Sequence, residues 1–308
     1  QMIDDGYPAG FSAALAASGG IIGCIIPPSI PFVNYALITG ESVSELFAAG
    51  AIPGILMGVA LCVLSVYAAS KNGWGSRKKG ISPRGVFRAL RTAIWAILMP
   101  VIILGGIYSG LFTPTEAAAV ACVYGFLASW LIYKGVKLTD MIDISFDAVK
   151  TSSMIMFIVA TANIFSFVVT KQQVPAKLSA LVLGITDNWI LILLFINIIL
   201  LINGCFMETT ASTYIYTPIL YPLVTSLGYD PIQFGVVMVM NLTMGLITPP
   251  LGINLFVANG IDKRVVFSEQ VKKVIPMFIA LVLVLMLVTY IPGISLFLVH
   301  MMRSAAAA

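Results

Sequence analysis

Two short stretches carry residue types able to hold an ion, and they share a pattern. Gly23-Cys24-Ile25-Ile26-Pro27-Pro28 lies inside a long apolar segment. Gly245-Leu246-Ile247-Thr248-Pro249-Pro250 repeats its Gly, Ile, Pro and Pro 222 residues later, position 23 matching position 245. At the same offset Gly6-Tyr7 meets Gly228-Tyr229, so Gly6–Pro28 carries six identities without a gap, four of them Gly or Pro. Neither copy fits a continuous helix, because each Pro ring opposes helical geometry in the residue before it and brings no backbone donor. A helix broken at membrane depth frees backbone groups that water cannot reach. Carbonyls at the end of a first half can take a cation, and N–H groups at the start of a second half can face an anion. A third stretch, Asn203-Gly204-Cys205-Phe206-Met207-Glu208-Thr209-Thr210, interrupts another apolar run and supplies hydroxyls and a carboxylate.

These features assign a site for a cation such as sodium, held mostly by backbone carbonyls, to Gly23, Cys24, Ile26, Pro27, Gly204, Met207, Thr209, Gly245, Thr248 and Pro249. They assign a solute site to Pro28, Ser29, Asn34, Glu208, Thr210, Pro250, Gly252 and Asn254. Glu208 has two readings, a ligand of ion or solute and a cap of the helix that follows, and both can hold. A single proline would be read as a kink in a packed span. A repeated Gly-x-Ile-x-Pro-Pro is not read that way.

The elements that must position these residues are membrane helices. Hydrophobic residues make up 59% of the 308 and charged residues 10%, against about 45–50% and about 25% in a soluble domain. The apolar runs repeat at the roughly 20 residues a spanning helix needs. The fold class is therefore an all-α polytopic membrane protein with inverted repeats, broken helices and a re-entrant hairpin. The net charge of +4 sits in loops and does not point to nucleic acid. Cys24, Cys62, Cys122 and Cys205 lie in apolar segments without CxxC spacing, and His300 is the only histidine, so a thiol–metal site or a disulfide framework is not expected.

In order, the first broken helix occupies residues 9–40, with halves from Gly10 to Ile25 and onward through Tyr35. Ser42 and Glu45 form a capping box for a span over 44–70. Lys71, Arg77, Lys78, Lys79, Arg84, Arg88 and Arg91 follow with no acid between them, which makes this loop cytoplasmic. Arg84, Arg88 and Arg91 beside apolar residues suggest an interfacial helix, with a solvated loop face as the competing reading. A span over 93–110 follows. Thr113-Pro114-Thr115-Glu116 then reads as an N-cap, a first-turn proline and a capping-box glutamate, although Glu116 could instead bind an ion. That span runs to Trp130. Asp140, Asp143 and Asp147 lead into a span over 151–170, as a solvated face more readily than a metal site. A helix over 189–202, the polar tip and an arm to Leu227 form the hairpin. Pro231 to Met244, the second break and a half through Val257 repeat the first unit, and the last span runs over 275–302.

Counting spans from the basic loop puts Thr39-Gly40-Glu41 and Gly228-Tyr229 outside and Lys263, Arg264, Lys272 and Lys273 inside. Repeat one then runs outward and repeat two inward, which makes them inverted repeats. Lys171 and Lys177 fall outside, against the rule.

The Gly-x-Ile-x-Pro-Pro-Ser-Ile-Pro of Gly23–Pro31, Gly105-Gly106 with Gly110 and Pro114-Thr115-Glu116-Ala117, Phe206-Met207-Glu208, and Gly245-x-x-Thr248-Pro249-Pro250-x-Gly252 together resemble the large membrane subunit of tripartite ATP-independent periplasmic (TRAP) transporters. The resemblance covers nearly the whole chain. It implies a multi-pass protein of the bacterial inner membrane that imports an organic anion, a dicarboxylate or sialic acid, by an elevator motion coupled to sodium, with no other cofactor. It also implies a small membrane subunit and a periplasmic solute-binding protein as partners. A transport domain would hold 1–70 and 181–308, with 71–92 as cytoplasmic loop and amphipathic helix and 93–172 as scaffold. A second hairpin is implied upstream of Gln1, because repeat one has five residues before its Gly-Tyr pair and repeat two has 227. A stand-alone sodium/anion symporter is the near alternative. A membrane enzyme is the distant one, since the chain has no HExxH, GxGD pair or Ser/His/Asp set. A channel would need charged rings, which the spans lack.

Overall fold

The computed structural model describes residues 1–75, 83–137, 139–186, 188–249 and 251–306. Arg77, Lys78, Lys79, Asp187 and Pro250 therefore lie outside the described residues. The helices are α1 (Ala9–Ile22), α2 (Ile30–Thr39), α3 (Val43–Asn72), α4 (Pro83–Tyr108), α5 (Pro114–Leu127) with a π-helical turn (Ala128–Ile132), α6 (Asp140–Lys171), α7 (Val174–Ile185), α8 (Trp189–Phe206), α9 (Thr209–Ser226), α10 (Pro231–Gly245), α11 (Ile253–Ile261), α12 (Phe267–Tyr290) and α13 (Pro292–Ala306). Six of them are long and apolar enough to cross a membrane. Rows of exposed apolar side chains, such as Val59, Val63 and Val66 on α3 and Ile275, Ile279, Leu283 and Leu287 on α12, suit lipid.

The chain divides into two compact units, Gln1–Ser76 with Ala162–Ala308, and Arg77–Thr161. In the smaller, the Tyr124 hydroxyl donates to the Trp95 carbonyl (2.7 Å) and that of Tyr133 to the Thr92 carbonyl (2.8 Å). The Thr113–Glu116 capping box is complete: Thr113 Oγ1 accepts from the Glu116 amide, and Glu116 Oε2 accepts from the Thr113 amide. That is the capping reading of Glu116.

In the larger unit the repeat offset reappears as geometry. α1, α2 and α3 correspond to α10, α11 and α12, and the starts and ends of the half-helices match to within about one residue of the 222 offset. The repeats pack across one another as well as internally. α1 lies against α11 and α12, while α10 lies against α2 and α3. Near the start of α1, Gly10 faces the backbone of Gln270 at the start of α12. At the opposite end of the repeat the Tyr35 hydroxyl of α2 donates to the Pro231 carbonyl that opens α10 (2.8 Å). The two broken helices therefore enter from opposite ends. α10 is the centre of the unit: every residue from Ile232 to Gly245 is buried, as an apolar helix surrounded by others must be.

Three sequence expectations change. The last span does not reach 302. α12 ends at Tyr290 and α13 begins at Pro292, because Pro292 brings no donor and Ile291 before it is extended. α13 packs against α3, where Arg303 makes a two-pronged ion pair with Glu45 (2.8 and 2.7 Å). That pair changes the second expectation. Ser42 Oγ does accept from the Glu45 amide (3.4 Å), but the Glu45 carboxylate goes to Arg303, so only half of the capping box is made. Third, α8 does not stop at residue 202 but runs to Phe206, leaving only Met207 and Glu208 as the hairpin turn. α9 continues through Pro218 and Pro222.

Candidate functional site

The hairpin of α8 and α9 brings its tip onto the second break. Gly204 and Gly245 touch through their backbones: a Cβ on Gly204 would lie 2.6 Å from the Leu242 carbonyl oxygen and 3.1 Å from the Gly245 Cα, and one on Gly245 would run into the Gly204 backbone. Only glycine allows this approach. Next to it the Cys205 thiol donates to the Leu201 carbonyl of its own helix at 3.3 Å. Across the hairpin Asn203 Nδ2 donates to Ser212 Oγ at 2.7 Å and braces the two arms.

Glu208 caps α9. Its Oε2 accepts from the Ala211 amide at 3.1 Å and its Oε1 from the Thr210 hydroxyl at 3.0 Å. The carboxylate remains exposed, and α9, which it caps, packs against α2, the half-helix that follows the first break. Glu208 is the only charged residue in the tip and the two breaks. Thr209 is 5% exposed, and its hydroxyl has no partner among the described residues.

The first break is closed by Ser29, which donates to the Cys24 carbonyl and accepts from the Phe32 amide as the N-cap of α2. The Pro27–Pro28 peptide is cis. The break rests on two glycines of α3, of which the sequence alone marks only Gly54, beside Pro53, as a place for a kink. A Cβ on Gly50 would meet the Phe32 ring and the Ile25 carbonyl (2.8 Å), and one on Gly54 would meet the Ile26 side chain. The signal for both lies in Ala48-Ala49-Gly50-Ala51-Ile52-Pro53-Gly54, a run of small residues in a span.

In the second break the Gly245 carbonyl accepts from Thr248 N (2.9 Å), that of Thr248 from Gly252 N (3.0 Å) and that of Leu246 from Asn254 N (3.0 Å). The Thr248 hydroxyl donates to the Met244 carbonyl. These carbonyls are thus already engaged once, and each keeps a second lone pair for a cation. Gly252 N-caps α11 with its backbone close against Leu246 and Thr248. Asn254 lies beside Gly20, close to the end of α1. Asn34 is buried in α2 with an unpartnered Nδ2 among the described residues. Gly23, Pro28 and Pro249 are exposed, Pro27 is buried, and Ile26 is 41% exposed.

A polar chain that the sequence reading misses crosses the core behind the tip, through Asn197 on α8, Asn241 on α10 and Thr289 on α12, each at most 1% exposed. Isolated amides in apolar runs are its only signal in the sequence, and their pairing cannot be read from them.

Two helices broken at matching places and entering from opposite ends, the second of them met by a hairpin tip, define a multi-pass membrane protein of the inverted-repeat class. The chain belongs to the tripartite ATP-independent periplasmic transporter family, DctM component, whose family profile matches residues 1–294. It is 42% identical over 297 residues to an isethionate TRAP transporter permease protein of Oleidesulfovibrio alaskensis. It is 40% identical over 295 residues to a C4-dicarboxylate TRAP transporter large permease protein of Pseudomonas aeruginosa, and 38% identical over 298 to a sialic acid TRAP transporter large permease protein of Vibrio cholerae. These alignments cover 96%, 96% and 97% of this chain, and 46%, 69% and 69% of the respective relatives. The chain thus spans about half the length of the first and about two thirds of the other two.

Proposed function

We propose that this chain forms the ion- and solute-binding part of a sodium-coupled importer of an organic anion in the bacterial inner membrane, working with a small membrane subunit and a periplasmic solute-binding protein, and not an enzyme. The observation that carries this reading is the hairpin tip seated on the second break, Gly204 against Gly245, with the second arm of the hairpin packed against α2 beyond the first break. Sodium would take second lone pairs of the carbonyls around Gly245 and Thr248, joined by the free Thr209 hydroxyl, and the corresponding carbonyls from Gly23 to Ile26. The solute would sit beside the starts of α2 and α11, within reach of Asn34, Asn254 and Thr210. The relatives' names support an anion, since isethionate, C4-dicarboxylates and sialic acid all carry a sulfonate or carboxylate. An elevator motion of the larger unit fits the division of the chain into two units.

The test is uptake into proteoliposomes containing the full permease and its partner subunits, with the binding protein outside, supplied with labelled isethionate, succinate and sialic acid in turn. Uptake of one of them that needs an inward sodium gradient supports the reading. Equal uptake with potassium in place of sodium refutes the coupling, and retained uptake without the binding protein favours a stand-alone symporter.

A further inference from the structure

The Gly204–Gly245 approach has a polar neighbour on the same helix interface. α8 and α10 run in the same direction, from the end that holds Trp189 and Tyr229 toward the tip and the break. Asn197 lies two turns before Gly204, and Asn241 about one turn before Gly245. Asn241 Nδ2 donates to Asn197 Oδ1 and to the Val237 carbonyl, both at 2.7 Å. Asn197 Nδ2 donates to the Thr289 hydroxyl at 3.2 Å, and that hydroxyl donates to the Leu285 carbonyl at 2.8 Å. One amide pair thus joins α8 to α10 and α12.

The pair is not explained by stability alone. Asn241 Oδ1 is buried with no partner among the described residues, so the arrangement carries a desolvation cost that a leucine would not. It is not required by the broken-helix architecture either, because the position matching Asn241 in repeat one is Gly19, which is exposed. What the amides add is direction. Apolar contacts tolerate a helix sliding or rolling, whereas a buried hydrogen-bonded pair admits one register. The register it fixes is the one that seats Gly204 on Gly245.

We propose that Asn197 and Asn241 are positioning residues that hold the hairpin tip on the second break, so that the hairpin travels with α10 and α12 as one body and does not open as a flap. Loss of the pair lets the tip lift, which opens fully the Cys205 that is half-buried while the tip is seated, and weakens cation binding at the break. The cation clause rests on the sodium reading above; the uncovering of Cys205 does not.

The experiment uses the assembled transporter in proteoliposomes with its native cysteines, and modification of Cys205 is read by peptide mass spectrometry. N-ethylmaleimide labelling is followed for the parent, Asn197→Leu, Asn241→Leu and the double variant. The single variants each leave a buried amide without its partner and lower thermal stability. The double variant removes both amides, so its stability returns toward the parent's. Labelling of Cys205 should be about 5- to 10-fold faster in all three, the size of effect one lost hydrogen bond gives. Rapid labelling of the thermally recovered double variant is the outcome a merely structural role cannot produce. Labelling of the double variant at the parent's rate overturns the proposal. In the same vesicles the sodium concentration for half-maximal uptake should rise about 5- to 10-fold, with maximal rate changed less than twofold. If the parent itself shows no sodium dependence, the sodium reading fails while the labelling result still decides the positioning role.

Discussion

Gly204 and Gly245 meet backbone to backbone, so the hairpin tip and the second break share a surface with no side chain between them. Neither residue can yield to an added methyl by turning a side chain, because the atoms met belong to the main chain. Carbonyls of both elements can therefore face one ion.

Gly245→Ala should separate the two elements. The expected cost is about 1–3 kcal/mol, as for other overpacked interiors, with uptake reduced more than tenfold. Gly58→Ala on α3, where an added Cβ meets only the Ile22 Cδ1 at 4.0 Å, should leave both within experimental scatter. Thermal melting and uptake of the two variants, measured side by side, check this.

Pro27→Ala combined with Pro28→Ala should allow helix to extend from α1 toward α2 and abolish uptake, with surface expression retained. Wild-type uptake by that variant would show that the broken backbone at Ser29 and Cys24 is not part of the site.

Glu208 separates charge from capping. Glu208→Gln keeps an oxygen for the Ala211 amide, so melting should shift little, while uptake should fall more than tenfold if the negative charge serves ion or solute. Glu208→Ala also loses the cap, costing about 1 kcal/mol. Normal uptake by the Gln variant would reduce Glu208 to a cap.

Arg303→Ala should free α13 from α3. The pair is partly exposed, with side chains 47% and 20% accessible, so it contributes at most about 1 kcal/mol. The expected readout is local: faster amide exchange across Pro292–Ala306, strongest at its C-terminal end, with the exchange of α10 unchanged.

The Asp262–Arg264 pair gives a pH prediction. Hydrogen bonds from the Arg264 side chain and amide hold Asp262 at about 2, below its usual 3.8. A depressed carboxylate favours the folded state above the unfolded value and loses that effect as pH falls through the folded one. The contribution should therefore be constant from neutral pH down to about 4 and vanish between about 4 and about 2. Melting curves of Asp262→Asn should converge with the parent's at the low end of that window. Divergence that begins at pH 6 would point to another group.

Much of this molecule is legible in its residues alone. The two breaks follow from local chemistry, since an adjacent proline pair removes two successive donors and disfavours helix in the residues before it, whereas the separate Pro218 and Pro222 are spanned by α9. The 222-residue echo and the loop charges together imply opposed repeats, and the half-helices begin and end where the echo says. Thr113 and Glu116 are readable for the same reason, because a capping box is made within four residues.

The tertiary structure decided the relations between residues far apart in the chain. Glu45 reads as a cap because Ser42 is near in sequence, whereas Arg303 lies 258 positions away and makes the shorter contact. Gly50 and Gly54 are ordinary small residues of a span until Phe32 and Ile26 pack onto them. Asn197 and Asn241 are isolated amides in sequence and one buried pair in space. The Gly-x-Ile-x-Pro-Pro motif determined that the backbone would open at two places. Which surface would close over the second opening was fixed only when Gly204 seated on Gly245, because backbone-to-backbone packing depends on the absence of side chains on two helices at once, and no local rule couples them.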